Sequence, residues 1–413
     1  MAFTDQLLDT IRSKFAHVDN CPFQGKRIFF ENAGGALTLN SVVETSTEYA
    51  AIPDNQGRDN IASRALVAAI EQARQDARTL FNASSGQMFV GESGTELLFR
   101  LIRSACTATQ GGNVLGSTVE HPASRSAASH WAAETGKPYV SVAHDDAAGS
   151  VSAEAYAAKV TLDTRVATIL HCSPVTGVGN DVKAIAAAIR AKAPDCFIIV
   201  DGIQFAAHGA IDIDGYGIDG YVISPYKAFS RHGYGIAWLS DRLGAAKHEC
   251  LIDGPALNWE FGTRDTGAYA TFSRVVEYLD WLGSNFTGSD DRRTRIEAAA
   301  KAIQEQEHDL CELMLHGEGN LTGLADLPGI NIIAGTGNEG RKGLVSFWKE
   351  GVPSAEIVSV LNENGVRTHT RKADHYSGNI LKPLGREDCV RVSVCHYNSR
   401  AEVKELLKVL NEM

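Results

Sequence analysis

Nowhere in the 413 residues is there a run of basic side chains. The formal charge is -11, from 39 Lys and Arg against 50 Asp and Glu, and binding phosphate backbones requires clustered cations. Nucleic acid is therefore excluded as a partner. The chain also lacks any uninterrupted apolar stretch of about 18 residues, the length that marks a membrane span. Its start, Met1-Ala2-Phe3-Thr4-Asp5, has no charged region followed by an apolar one, so it does not read as a secretory leader. A cytoplasmic protein with no membrane partner is the expectation. The eight cysteines, at 21, 106, 172, 196, 250, 311, 389 and 395, are scattered. They have neither the short paired spacings of a zinc site nor the density of a disulfide scaffold, which predicts reduced and mostly buried thiols. Internal repeats and low-complexity segments are absent as well.

What is present is ordinary globular composition, 44% hydrophobic and 22% charged, in a chain long enough for two domains. From 89 to 224, short apolar runs alternate with helical patterns, which demands a mostly parallel sheet covered on both faces. Two of these strands end in charged residues. Phe197 to Val200 stops at Asp201, and Gly220 to Ser224 runs into Pro225-Tyr226-Lys227. Both side chains then stand at carboxyl ends of strands, the edge where open α/β sheets bind ligands. A carboxylate and an amine delivered together there have a known joint use: the amine forms a Schiff base with pyridoxal phosphate, and the carboxylate pairs with the pyridine nitrogen.

Other stretches feed the same edge. Phe89-Val90-Gly91-Glu92-Ser93-Gly94-Thr95-Glu96 is a strand leading into a helix whose N-terminus suits a phosphate, with Gly94 allowing close approach. His121 follows another strand, where an imidazole could stack on a flat ring. Earlier, Phe3, Leu7, Leu8, Ile11 and Phe15 have helical spacing, and Arg27 to Ala36 reads as a strand entering a glycine-rich turn. Residues 41 to 81 are largely helical in pattern, with Arg58 and Arg64 in a polar loop expected to be solvated. A long helical stretch from Gly267 to about Leu315 breaks near 283 to 291, the expected hinge into a second, smaller α+β part.

With these residues placed, the chain resembles the class V aminotransferase and cysteine desulfurase-like family of fold-type I pyridoxal-phosphate enzymes. The resemblance rests on Glu31-Asn32-Ala33-Gly34-Gly35, Ser93-Gly94-Thr95-Glu96, Glu120-His121, Asp201-Gly202-Ile203-Gln204, Ser224-Pro225-Tyr226-Lys227, Glu260-Phe261-Gly262-Thr263 and Arg391-Val392-Ser393-Val394-Cys395-His396-Tyr397-Asn398. It implies an α/β fold with a mostly parallel seven-stranded sheet in a large cofactor domain, residues 25–265. A smaller α+β domain would comprise residues 1–24 and 266–413. It implies pyridoxal 5'-phosphate as cofactor, with Lys227 as the Schiff-base lysine and base, and Asp201 on the pyridine nitrogen. Gln204 would donate to the ring's phenolic oxygen, His121 would stack on its face, and Gly94, Thr95 and Ser224 would hold the phosphate. Thr263 would reach the phosphate of a neighbouring subunit, implying a homodimer with shared sites. Arg391 and Asn32 would contact an amino-acid substrate, and His208 would be structural.

Two departures from the family pattern bear on function. The loop that carries the sulfur-accepting cysteine in desulfurases corresponds to Arg371 to Leu381 here, and it contains none. Pro174 stands where many relatives place an asparagine that contacts the phenolic oxygen, leaving that task to Gln204 or Thr176. Three functions are therefore carried forward. The first is a lyase that removes a thiol or sulfinate from a β-carbon without an enzyme thiol. The second is an aminotransferase, which a second carboxylate-binding arginine such as Arg58, Arg64 or Arg371 would favour. The third is a catalytically idle scaffold.

Overall fold

The computed structural model describes residues 3–413. Its helices are α1 (Asp5–Ser13), α2 (Asn40–Ala50), α3 (Ile61–Phe81), α4 (Gly94–Thr107), α5 (Pro122–Glu134), α6 (Ala153–Lys159), α7 (Val182–Lys192), α8 (Thr266–Gly283), α9 (Arg292–His316), α10 (Ser354–Glu363) and α11 (Arg400–Asn411), besides shorter turns. Seven strands form the main sheet: β1 (Gln87–Gly91), β2 (Asn113–Ser117), β3 (Tyr139–Val142), β4 (Thr164–Leu170), β5 (Phe197–Asp201), β6 (Gly220–Ile223) and β7 (Gly235–Leu239). Their order is β1-β7-β6-β5-β4-β2-β3. Only β7 runs against the others.

The central strands explain why the sheet is covered twice. Every residue of β5 is buried. Ile198 and Val200 point into one apolar cluster and Phe197 and Ile199 into another, the two-residue alternation of a strand with helices on both faces. α1 and α8 pack on the first cluster, where Ile11, Phe15 and Tyr278 meet Phe229. Phe15 lies edge-on to both Phe229 and Tyr278 at 5.6 and 5.4 Å.

The C-terminal part holds a four-stranded antiparallel sheet of β8 (Ile330–Ile332), β9 (Leu344–Lys349), β10 (His369–Lys372) and β11 (Asp388–Ser393), in the order β8-β9-β11-β10. A third apolar cluster, including Leu310, Phe347, Val390, Val392 and Leu406, binds it to α9 and α11. The gap between α8 and α9 falls at 284–291, where Asp291 caps α9 by accepting from the Thr294 N–H at 2.8 Å.

Two local expectations change. Arg64 lies on α3 rather than in the polar loop, because Asn60 caps that helix four residues earlier. The segment starting at Arg371 is not all loop: Arg371 belongs to β10, paired with Cys389 across the sheet. Its polar alternation concealed an edge strand.

Candidate active site

The carboxyl edge of the main sheet carries a small cavity of about 60 Å³ lined by Thr95, His121, Pro174, Asp201, Gln204, Ser224, Tyr226 and Lys227, with Leu170 and Ile203. Residues from five separate loops therefore converge. Each arrives because its strand ends there.

Lys227 sits in a short turn after β6, and its amine donates to Gln204 Oε1 at 3.2 Å. Burial brings its pKa down to about 8, and the nearby Arg391 adds to the effect against the opposing pull of Asp201. Asp201 ends β5 and is 2% exposed. One of its oxygens accepts the Ile203 N–H at 3.1 Å, and Oδ2 has no partner. Burial raises this carboxyl to about 6. His121 begins α5, and its Nδ1 accepts the Ala123 N–H at 3.1 Å. Burial, followed by repulsion from Lys227, Arg371 and Arg125, drops its pKa to about 3. The ring is therefore neutral at physiological pH.

At the start of α4, Ser93 caps the helix by accepting from the Glu96 N–H, and the first N–H groups of the helix have no carbonyl to bond. A side chain at Gly94 would collide with Ser224 Oγ and with Ile203. The turn is a cradle only glycine leaves open.

The unpartnered Oδ2 of Asp201, the lysine amine and the glycine cradle are the donor and acceptor set that pyridoxal phosphate requires. The residues fit the group. Asp201 would meet the pyridine nitrogen, Gly94, Thr95 and Ser224 the phosphate, and His121 the ring face.

Arg391 projects from β11 and is 3% exposed. Its guanidinium donates to the Pro174 carbonyl at 3.1 Å, while Nε has no partner. Pro174, which has no side-chain donor to offer, thus contributes a backbone acceptor. Thr176 does not substitute for that donor, since its hydroxyl donates to the Gly149 carbonyl at 2.7 Å. Asn32 is not brought to the cavity: its amide donates to Ser393 O at 2.7 Å and to Asn398, and its oxygen accepts from Tyr397. That network fixes the glycine turn against β11. Thr263 is exposed and lies beside Tyr49 and Arg264, away from this cavity. Arg58 and Arg64 are exposed as well.

Sequence reasoning missed a buried chain behind Lys227. Beyond Gln204, whose Nε2 lies 3.4 Å from His208 Nε2, His208 Nδ1 meets Glu307 Oε2 at 2.8 Å. Glu307 is 1% exposed and held above the usual carboxylate range by burial. The signal was available: Ile303, Glu307, Leu310 and Met314 share one apolar stripe of α9. A lone carboxylate there needs a buried partner.

A twisted, mostly parallel sheet with a lysine and an aspartate at its carboxyl edge, beside a smaller antiparallel sheet, is the fold-type I architecture. The aminotransferase class-V family model matches residues 28–406, and the chain belongs to that family of pyridoxal-phosphate-dependent enzymes. It is 26% identical to the aminotransferase-like protein FGM3 of Gibberella zeae, over 98% of this chain and 97% of that one. It is 24% identical to a cysteine desulfurase of Synechococcus elongatus, over 94% of this chain and 60% of that protein. The cysteine desulfurase CsdA of Escherichia coli superimposes with a TM-score of 0.80 at 21% identity, covering 98% of both chains.

Proposed function

We propose that this chain binds pyridoxal phosphate at Lys227 and cleaves a substituent from the β-carbon of an amino acid, with no enzyme thiol to receive it. The observation carrying this reading is the cavity itself. It joins the Lys227 amine to the unpartnered Asp201 oxygen, and no cysteine lines it among the described residues. Six of the eight cysteines are buried; Cys250 is exposed and Cys21 partly so. When bound, the cofactor serves as an electron sink for charge developing on the substrate's carbons.

The protein's own residues would supply the rest. Asp201, ionised once it faces a cationic ring nitrogen, holds that nitrogen's proton. Neutral His121 covers one face of the ring without adding charge. Arg391 takes the substrate carboxylate, with its unpartnered Nε as a ready donor. Lys227, with its pKa near 8, exchanges a proton with the substrate's α-carbon close to neutral pH. Gln204 holds the lysine amine in line. A second copy of the chain would complete the site through Thr263, and the loop leading to it exposes Leu251, Ile252 and Leu257 at 68, 94 and 57%, apolar surface consistent with such a contact.

Purified protein incubated with pyridoxal phosphate is expected to show a visible absorption band that Lys227→Ala abolishes together with turnover. With a panel of amino acids, return of the band with release of a β-substituent supports cleavage. A stalled reaction restarted by a keto acid would mean transamination. Full activity of Lys227→Ala would overturn the reading.

A further inference from the structure

Gln204 stands between two groups that together decide which end of its amide faces the lysine. It follows β5 and leads into the short turn 205–207, which ends at His208. Both side chains are 4% exposed. The amide's Oε1 accepts from the Lys227 amine at 3.2 Å, and its Nε2 lies 3.4 Å from Nε2 of His208.

Hydrogen-bond chemistry allows one arrangement of protons along this line. A lysine ammonium only donates, so the amide atom it meets must be the oxygen. The amide nitrogen, turned the other way, also only donates, so Nε2 of His208 must accept. A neutral imidazole has one acceptor and one N–H, which places the proton on Nδ1. There it meets an acceptor, Glu307 Oε2, at 2.8 Å. With a proton on Nε2 instead, two donors would face each other. The amide would then have to turn and present its N–H groups to the lysine.

Glu307 is the fixed end of the line. It lies on α9 between Ile303 and Leu310, both buried, and a side chain at Gly343 would come within 3.1 Å of its carboxyl. Lys342 faces it from the segment before β9, and Cys395 and His396 stand near the pair after β11. His396 is engaged by the Tyr278 hydroxyl at 2.6 Å. Among the described residues, His208 alone addresses the nitrogen end of the Gln204 amide. Burying an imidazole and a carboxylate is costly where apolar side chains could fill the same space. Orienting the amide accounts for their presence.

We propose that His208, its tautomer fixed by Glu307, is a positioning residue that orients the Gln204 amide. It keeps the amide oxygen on the Lys227 amine and leaves one N–H free, toward the cavity that Gln204 lines, for the phenolic oxygen of the cofactor. This rests on the reading of Lys227 as the cofactor lysine, and the test separates the two.

Only the unprotonated amine attacks the aldehyde of pyridoxal phosphate. The rate at which cofactor-free protein develops its visible band, followed by stopped flow across pH, therefore reports the titration midpoint of Lys227. His208→Leu and Gln204→Leu are each expected to lower that midpoint by about half a pH unit or more, since each takes a positioned acceptor from the ammonium. The double variant should shift it no further. His208→Gln, whose side-chain oxygen can accept from the amide, and Glu307→Gln should keep the midpoint of the unaltered protein, whereas Glu307→Leu should lower it. A midpoint unmoved by His208→Leu or by Gln204→Leu, shifts that add in the double variant, or a His208→Gln no better than His208→Leu would overturn the inference. Nitrogen-15 spectra of the histidine-labelled, unaltered protein give a check that does not depend on how the variants fold. They are expected to show the His208 proton on Nδ1, and a proton on Nε2 would overturn the inference as well. A band that persists in Lys227→Ala would instead overturn the reading of Lys227.

Discussion

Asp201 shows at the scale of one residue how a binding site is maintained against stability. Its carboxyl is raised from 3.8 to about 6 by burial, so in the cofactor-free protein the native state holds a proton that the unfolded state has released between those values. Stability present below pH ~4 is therefore lost as pH rises through about 6. At about 1.4 kcal/mol per pH unit, keeping the carboxylate ionised at neutral pH costs roughly 3 kcal/mol. Asp201→Asn is expected to raise the melting temperature of the cofactor-free protein at pH 7.5, to have little effect on it near pH 4, and to lower turnover by orders of magnitude. Thermal melts across pH, paired with an activity assay, check all three; a variant destabilised at pH 7.5 would contradict the argument. Asp201 and Lys227 were legible in the sequence because each ends an apolar run abruptly. Asn32 was misjudged because its neighbours match a motif while its own side chain is committed to a network with residues more than 360 positions away.

At the scale of elements, the start of α4 is the clearest case of backbone determining chemistry. Gly94 is required by what lies opposite it, Ser224 and Ile203, and not by its own torsion. A methyl group there must push both aside, at a cost of about 1–3 kcal/mol by analogy with overpacked cores. Gly94→Ala is therefore expected to weaken pyridoxal phosphate binding tenfold or more in an absorbance titration, whereas Thr95→Ala weakens it less. Unchanged affinity in Gly94→Ala would move the phosphate elsewhere. Most elements followed from periodicity, since β5 and β6 are apolar runs and α9 carries a long stripe. β10 did not, because His369-Thr370-Arg371-Lys372 is polar on both faces and owes its extended form to pairing with β11. Its arginine, one of three weighed from sequence, is the one beside the site; pairing partners are invisible in a single chain's pattern.

For the whole molecule, thiol chemistry makes a global statement. Cys106, Cys172, Cys196, Cys311 and Cys389 have pKa values raised to about 12 by burial, so they are unreactive as well as inaccessible. Alkylation with iodoacetamide at pH 8 is expected to label Cys250 and Cys21, with no loss of activity. Inactivation that substrate prevents would restore a persulfide mechanism. The chain from Lys227 through Gln204 and His208 to Glu307 has a further meaning for modularity. It begins on the main sheet's edge and ends on α9, and its last two members, both buried, hydrogen-bond to each other. A hybrid made by joining residues up to 265 of this chain to the remainder of a relative would separate His208 from Glu307. It would leave the buried His208 without its carboxylate partner behind the lysine, so the two must be exchanged together, as one inheritable unit.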